Sequence, residues 1–193
     1  MRTDSVGLVR FLRLLICLAL FFLPTIYIDL LVPNKSKAGV ALAREIYYAT
    51  VIIFLAVTLL KGWHSSSFVV FLTIYFIADI LVHLTGQVFV WGGQSIDPSR
   101  SLLLAVINYF EIAMAFAIFY RHWDCLSPRP LSGTQALYFS IVTGATVGYG
   151  DVLADTPVGK RLVILQIATS FLFVAIFLST LLGRTASPRE SEK

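Results

Sequence analysis

Few of the 193 residues carry groups that could do chemistry, because 58% are hydrophobic and only 13% are charged. Two sets stand apart from that background. The first is the run Thr143-Gly144-Ala145-Thr146-Val147-Gly148-Tyr149-Gly150-Asp151, inside a stretch from Leu131 to Val152 that is rich in Gly, Ser and Thr. Gly148 and Gly150 give the backbone conformations closed to residues with a Cβ, and backbone carbonyls so presented can replace the water around a small cation. The second set is ionisable. Asp29, Asp79 and Glu111 lie within apolar segments, where a charged group is costly and marks a candidate functional site. Asp79 and His83 are four apart and share a helix face, and Asn108 and Glu111 are three apart on the next segment. The pattern predicts an intramembrane polar cluster, either a clamp between helices or a group that titrates with pH. One His beside one carboxylate falls short of a metal-ligand set.

The elements that must hold these groups are five apolar segments, about 8–32, 41–61, 67–91, 101–120 and 158–182. A bilayer core of about 30 Å takes about 20 helical residues, so each segment is long enough to cross. A soluble globule is excluded by composition. The fold expected is an all-α integral membrane protein with five transmembrane helices, and Leu131–Val152 is too short and too polar to be a sixth. Aromatic residues cluster at segment ends, Tyr47, Tyr48, Trp63, Trp91, Tyr120 and Trp123, as interfacial anchors do. The net charge of +4 arises from Lys and Arg at segment ends and predicts no nucleic-acid partner. Two cysteines, Cys17 and Cys125, make no disulfide framework and are read as free thiols.

The run from Thr143 resembles the selectivity filter of the pore-loop potassium channels, whose pattern Thr-x-x-Thr-Val-Gly-Tyr-Gly-Asp is matched at every defined position. The resemblance covers residues 101 to 183. It implies an outer helix at 101–120, a re-entrant pore helix at 133–143, a filter at 146–151 and an inner helix at 157–183, after a three-helix region at 1–100 and before a polar tail at 184–193. It implies a homotetramer in the lipid bilayer conducting K⁺ passively, with ion sites at Thr146, Val147, Gly148, Tyr149 and Gly150. No cofactor and no small-molecule substrate other than ions is expected, and the location implied is a cell membrane crossed several times. Filter support falls to Tyr138, Phe139, Val142, Thr143 and Asp151. Val142 stands where several relatives have a Glu, so Asp151 is expected to lack that partner and filter-based inactivation to be weak. Ser170 stands where many relatives have a hinge glycine, and Gly159 where the family has Gly. Leu178 and Leu182 are gate candidates, sharing a face with Ile167, Phe171 and Val174. Asp155-Thr156-Pro157 reads as a helix start.

Voltage sensing by a cationic helix is not expected, because between Gly62 and Phe119 Arg100 is the one Lys or Arg. With the filter's Tyr-Gly-Asp end outside, as in the family, five crossings put Lys35, Lys37, Arg44, Arg100, Arg184, Arg189 and Lys193 inside and the other eight cations outside. Four crossings return Arg2, Arg10 and Arg13 to the inside and satisfy the positive-inside rule better. The run Leu14–Ile28 carries no charge, which favours five. The other functions considered are a non-conducting regulatory subunit and a K⁺ uptake component. No nucleophile–base spacing points to an enzyme.

Overall fold

A computed structural model describes residues 7–21, 23–24, 27–28, 37–89 and 98–185. The described chain is helical apart from loops and one short ribbon. Its helices are α1 (Leu8–Phe21), α2 (Lys37–Lys61), α3 (Ser67–Phe89), α4 (Pro98–His122), α5 (Gly133–Gly144) and α6 (Pro157–Thr185), with a 3₁₀ turn at Trp63–Ser65. Strands β1 (Leu126–Ser127) and β2 (Leu153–Ala154) pair antiparallel, Leu126 opposite Ala154 and Ser127 opposite Leu153.

Among the described residues four helices are long and apolar enough to cross a membrane, over Leu42–Lys61, Ser67–Gly86, Leu102–His122 and Pro157–Ser179. The fifth crossing expected from the sequence is not among them. Helix α1 has 14 residues, about 21 Å of rise, and its expected continuation towards residue 32 lies mostly outside the described residues, Asp29 included. So do Trp91 and the polar tail from 186 onward.

Helix α4 sits at the centre, packed by α2, α3, α5 and α6. Every residue from Glu111 to Tyr120 is buried, which is what a helix apolar on all sides requires. Small side chains on it, Ala113, Ala115 and Ala117, let neighbours approach closely. One core cluster joins α4 through Ile112, Phe116 and Phe119 to Leu162, Phe173 and Ile176 of α6. A second joins Ala117 and Ile118 to Val51, Leu55 and Leu59 of α2 and Ala136 of α5. Helix α4 thus joins the amino-terminal helices to α5 and α6.

Tyr120, read as an interfacial anchor, is fully buried, and so is Tyr48. Trp63 and Trp123 remain exposed at the helix ends, as a belt requires. The difference is local: Tyr120 has a buried hydrogen-bond partner for its hydroxyl and the Trp residues face outward.

Candidate ion-conduction site

Helix α5 begins with a capping box. Ser132 Oγ accepts from the Gln135 amide at 3.2 Å, and the Ser132 amide donates to Gln135 Oε1 at 2.9 Å. At its other end the Ala145 amide donates to the Ile141 carbonyl at 2.9 Å, Thr146 to Thr143 at 3.0 Å and Val147 to Val142 at 2.9 Å. The extended run that follows is therefore suspended from the carbonyl end of a helix, where partial negative charge gathers.

Along that run the backbone alternates in hand. Thr146, Gly148 and Gly150 have φ of 58°, 57° and 80°, and Val147 and Tyr149 between them do not enter that region. The sequence accounts for the two glycines and misses Thr146, a β-branched residue in a region such residues avoid. Side chains of Val147 and Tyr149 are 53% and 72% exposed in the single chain.

The aromatic pair before the filter divides its work. The Tyr138 ring lies parallel to that of Tyr149, 4° apart in plane and 6.4 Å between centroids. Desolvation and the nearby Asp151 carboxylate raise the Tyr138 phenol above its ordinary value. Phe139 turns inward and meets Tyr120 edge to face at 5.0 Å. Val142 and Thr143 serve through their carbonyls, as above.

Two contacts tie the far side of the filter down. The β1–β2 ribbon joins the loop after α4 to the loop after Asp151, and Arg129 bridges Asp124 and Asp155. Helix α6 starts as the sequence predicts, with Thr156 Oγ1 accepting from the Gly159 amide at 3.0 Å and Pro157 at the first helical position. Gly159 has a packing reason. A Cβ there would lie 2.6 Å from the Cys125 carbonyl oxygen. Cys125 is buried and free, and burial pushes its thiol up to about 11.

Helix α6 then runs unbroken to Thr185. Ser170 is buried, whereas Phe171, Val174 and Leu178 are exposed. The Leu182 side chain lies outside what is described.

The expected intramembrane polar residues are buried, and two contacts among them are seen. Asp79 and His83 of α3 and Asn108 and Glu111 of α4 are all buried. Tyr47 of α2 donates to Asp79 Oδ2 at 2.9 Å, a partner the spacing alone did not give, and Asp79 acts electrostatically on Glu111. Both Glu111 carboxylate oxygens and Asn108 Oδ1 are buried without a hydrogen-bond partner.

The residues missed by sequence reasoning are Gln166, Ser140 and Tyr120. They form a buried hydrogen-bonded set behind α5. A signal was present: Gln166 is a lone amide within the apolar run of the inner helix.

Comparison with known proteins agrees with this geometry. Residues 100–186 match the family described as ion channel. Over 93 residues, 48% of this chain and 22% of the relative, the sequence is 31% identical to two-pore potassium channel 5 of Arabidopsis thaliana. Over 66 residues, 34% of this chain and 22% of the relative, it is 35% identical to a voltage-gated potassium channel of Aeropyrum pernix. It is 41% identical to a potassium channel of Plasmodium berghei over 59 residues, 31% of this chain and 3% of that protein. The chain thus spans less than a quarter of each of these relatives. No solved structure matches. Residues 100–186, which contain the run Thr143–Asp151, are similar to the family described as ion channel, and the relatives they resemble are named as potassium channels.

Proposed function

We propose that four copies of this chain assemble in a cell membrane into a K⁺-selective pore that conducts down the electrochemical gradient. The observation that carries the reading is the alternating hand of residues 146 to 150 at the carbonyl end of α5. An alternation of this kind turns successive carbonyls to one side, so that Thr146, Val147, Gly148 and Tyr149 offer oxygens in rings when four chains meet. A K⁺ ion exchanges its water for those rings, and several sites in series let one ion displace the next. The dipole of α5 favours a cation behind the filter. The exposed Val147 and Tyr149 side chains are the faces that neighbouring chains would cover. Gly150 and Asp151 cap the outer end, and Leu178 and Leu182 stand where α6 helices converge on the inner mouth.

In this orientation α4 and α6 have their inner ends at 98 and 185, and α2 runs outward from Lys37 to Lys61. The charge-free run Leu14–Ile28 makes the fifth crossing and puts the amino terminus outside. An amino-terminal epitope tag is then reached by antibody on intact cells; a tag reached only after permeabilisation gives four crossings.

The test of conduction is K⁺ and Na⁺ flux through purified protein in liposomes beside Gly148→Asp. Position 148 has φ of 57°, so Asp there adds both strain and a charge on the ion path. Ba²⁺-sensitive K⁺ flux, abolished by the variant, is expected. An intact tetramer with no flux across voltage and pH would overturn the reading in favour of a regulatory subunit.

A further inference from the structure

The buried polar groups behind the filter form one circuit. Tyr120 of α4 donates its hydroxyl to Gln166 Oε1 of α6 at 2.7 Å. Gln166 Nε2 donates to the Ser140 carbonyl of α5 at 2.6 Å and to Ser140 Oγ at 2.8 Å. Ser140 Oγ donates to the Ala113 carbonyl of α4 at 2.7 Å. Each hydroxyl and amide hydrogen is used once, and the circuit begins and ends on α4. Gln166, Ser140 and Tyr120 are each at most 1% exposed, so the circuit belongs to the single chain and not to a subunit interface.

Apolar packing would hold three helices together without it, and burying an amide costs free energy unless each bond is made. What directional bonds add is register. Ser140 is held by its main chain and its side chain at once, which fixes both the rotation of α5 and its height against α6. A second contact fixes the helix end: a Cβ on Gly144 would stand 3.3 Å from each of Gln166 Nε2, Ser170 Oγ and Tyr109 OH. The filter begins two residues later and hangs from this end through the Thr146 and Val147 amides. A shift of α5 therefore moves the first ion-coordinating carbonyls with it.

We propose that Gln166 is the positioning residue of the selectivity filter, setting K⁺ over Na⁺ discrimination by locking α5 to α4 and α6. The proposal rests on the conducting reading above. Its consequence is that α6 is bonded to the base of the filter at Gln166 and abuts it at Ser170.

The test uses the full chain reconstituted in liposomes, comparing wild type, Gln166→Leu, Tyr120→Phe, Ser140→Ala and the Tyr120→Phe/Gln166→Leu double variant. The readouts are the K⁺/Na⁺ permeability ratio from reversal potentials and backbone hydrogen exchange over 133–144. Gln166→Leu is expected to lower the ratio by about tenfold, the scale of one buried hydrogen bond left unmade, and to speed exchange in α5. Tyr120→Phe lowers it less, and the double variant is no worse than Gln166→Leu alone, because Tyr120 acts through Gln166. A wild-type ratio in assembled Gln166→Leu, or effects that multiply in the double variant, would overturn the proposal. Should Gln166→Leu fail to assemble, Tyr120→Phe and Ser140→Ala decide, and unchanged ratios in both overturn it. A wild type without K⁺-selective flux defeats the conducting reading instead. Exchange then judges the lock alone, and unaltered exchange over 133–144 in Gln166→Leu sinks it.

Discussion

Thr146 holds a φ of 58° that costs a β-branched residue on the order of 1–3 kcal/mol, so the filter's inner end stores strain that the helix-end bonds must offset. Gly159 shows the opposite constraint, space rather than hand. Gly159→Ala would put a methyl 2.6 Å from a backbone oxygen and 3.2 Å from Cys125 Cβ. Its expected cost is about 1–3 kcal/mol, read as a lower thermal midpoint in detergent. Cys125 itself gives a pH prediction. Its folded thiol sits at about 11 against an ordinary 9.0, so its stabilising effect is complete below pH 9 and fades as pH rises towards 11. In a Cys17→Ser background, maleimide labelling at pH 8 should therefore be negligible and should accelerate towards pH 11; fast labelling at pH 8 would refute the buried placement. Glu111 has two buried oxygens without partners, near Asp79. Glu111→Gln keeps the shape and supplies a donor, and the midpoint is expected to hold or rise, by up to about 3 kcal/mol in stability; a clear fall would mean that the carboxyl itself is needed.

At the scale of elements, the bounds of α5 and the start of α6 were legible as helices. Asp155-Thr156-Pro157 announced the start of α6, and the expected pore helix at 133–143 differs from Gly133–Gly144 by one residue, because capping and proline signals are local in sequence. The capping box at Ser132 and Gln135 obeys the same local rule and was available to be read. Ser132→Ala removes an acceptor from the first turn and should cost about 1 kcal/mol, measured as a lower midpoint, with the larger part of the added hydrogen exchange confined to α5. What sequence could not give is the pairing of Tyr120 with Gln166 and of Gln166 with Ser140, across 46 and 26 residues. Hydropathy marks such residues as out of place in an apolar run without naming their partners. The same limit left Asp79 without Tyr47, 32 residues away.

For the whole molecule, composition sufficed to place the chain in a membrane, while the number of crossings did not follow from it, since α1 is short and its charges pull against its apolar length. The run Thr143–Asp151 is the reverse case: the positive φ at 148 and 150 requires its glycines, so nine consecutive letters carry the resemblance. The circuit through Gln166 closes entirely inside one chain, yet Val147 and Tyr149 stay largely bare there. If four chains assemble as proposed, each would reach the bilayer with α5 already seated and only the flanks at Val147 and Tyr149 unfinished. Conduction would then begin only at the last step of assembly, so a cell making this protein faster than it assembles would accumulate ion-tight intermediates and keep its membrane potential.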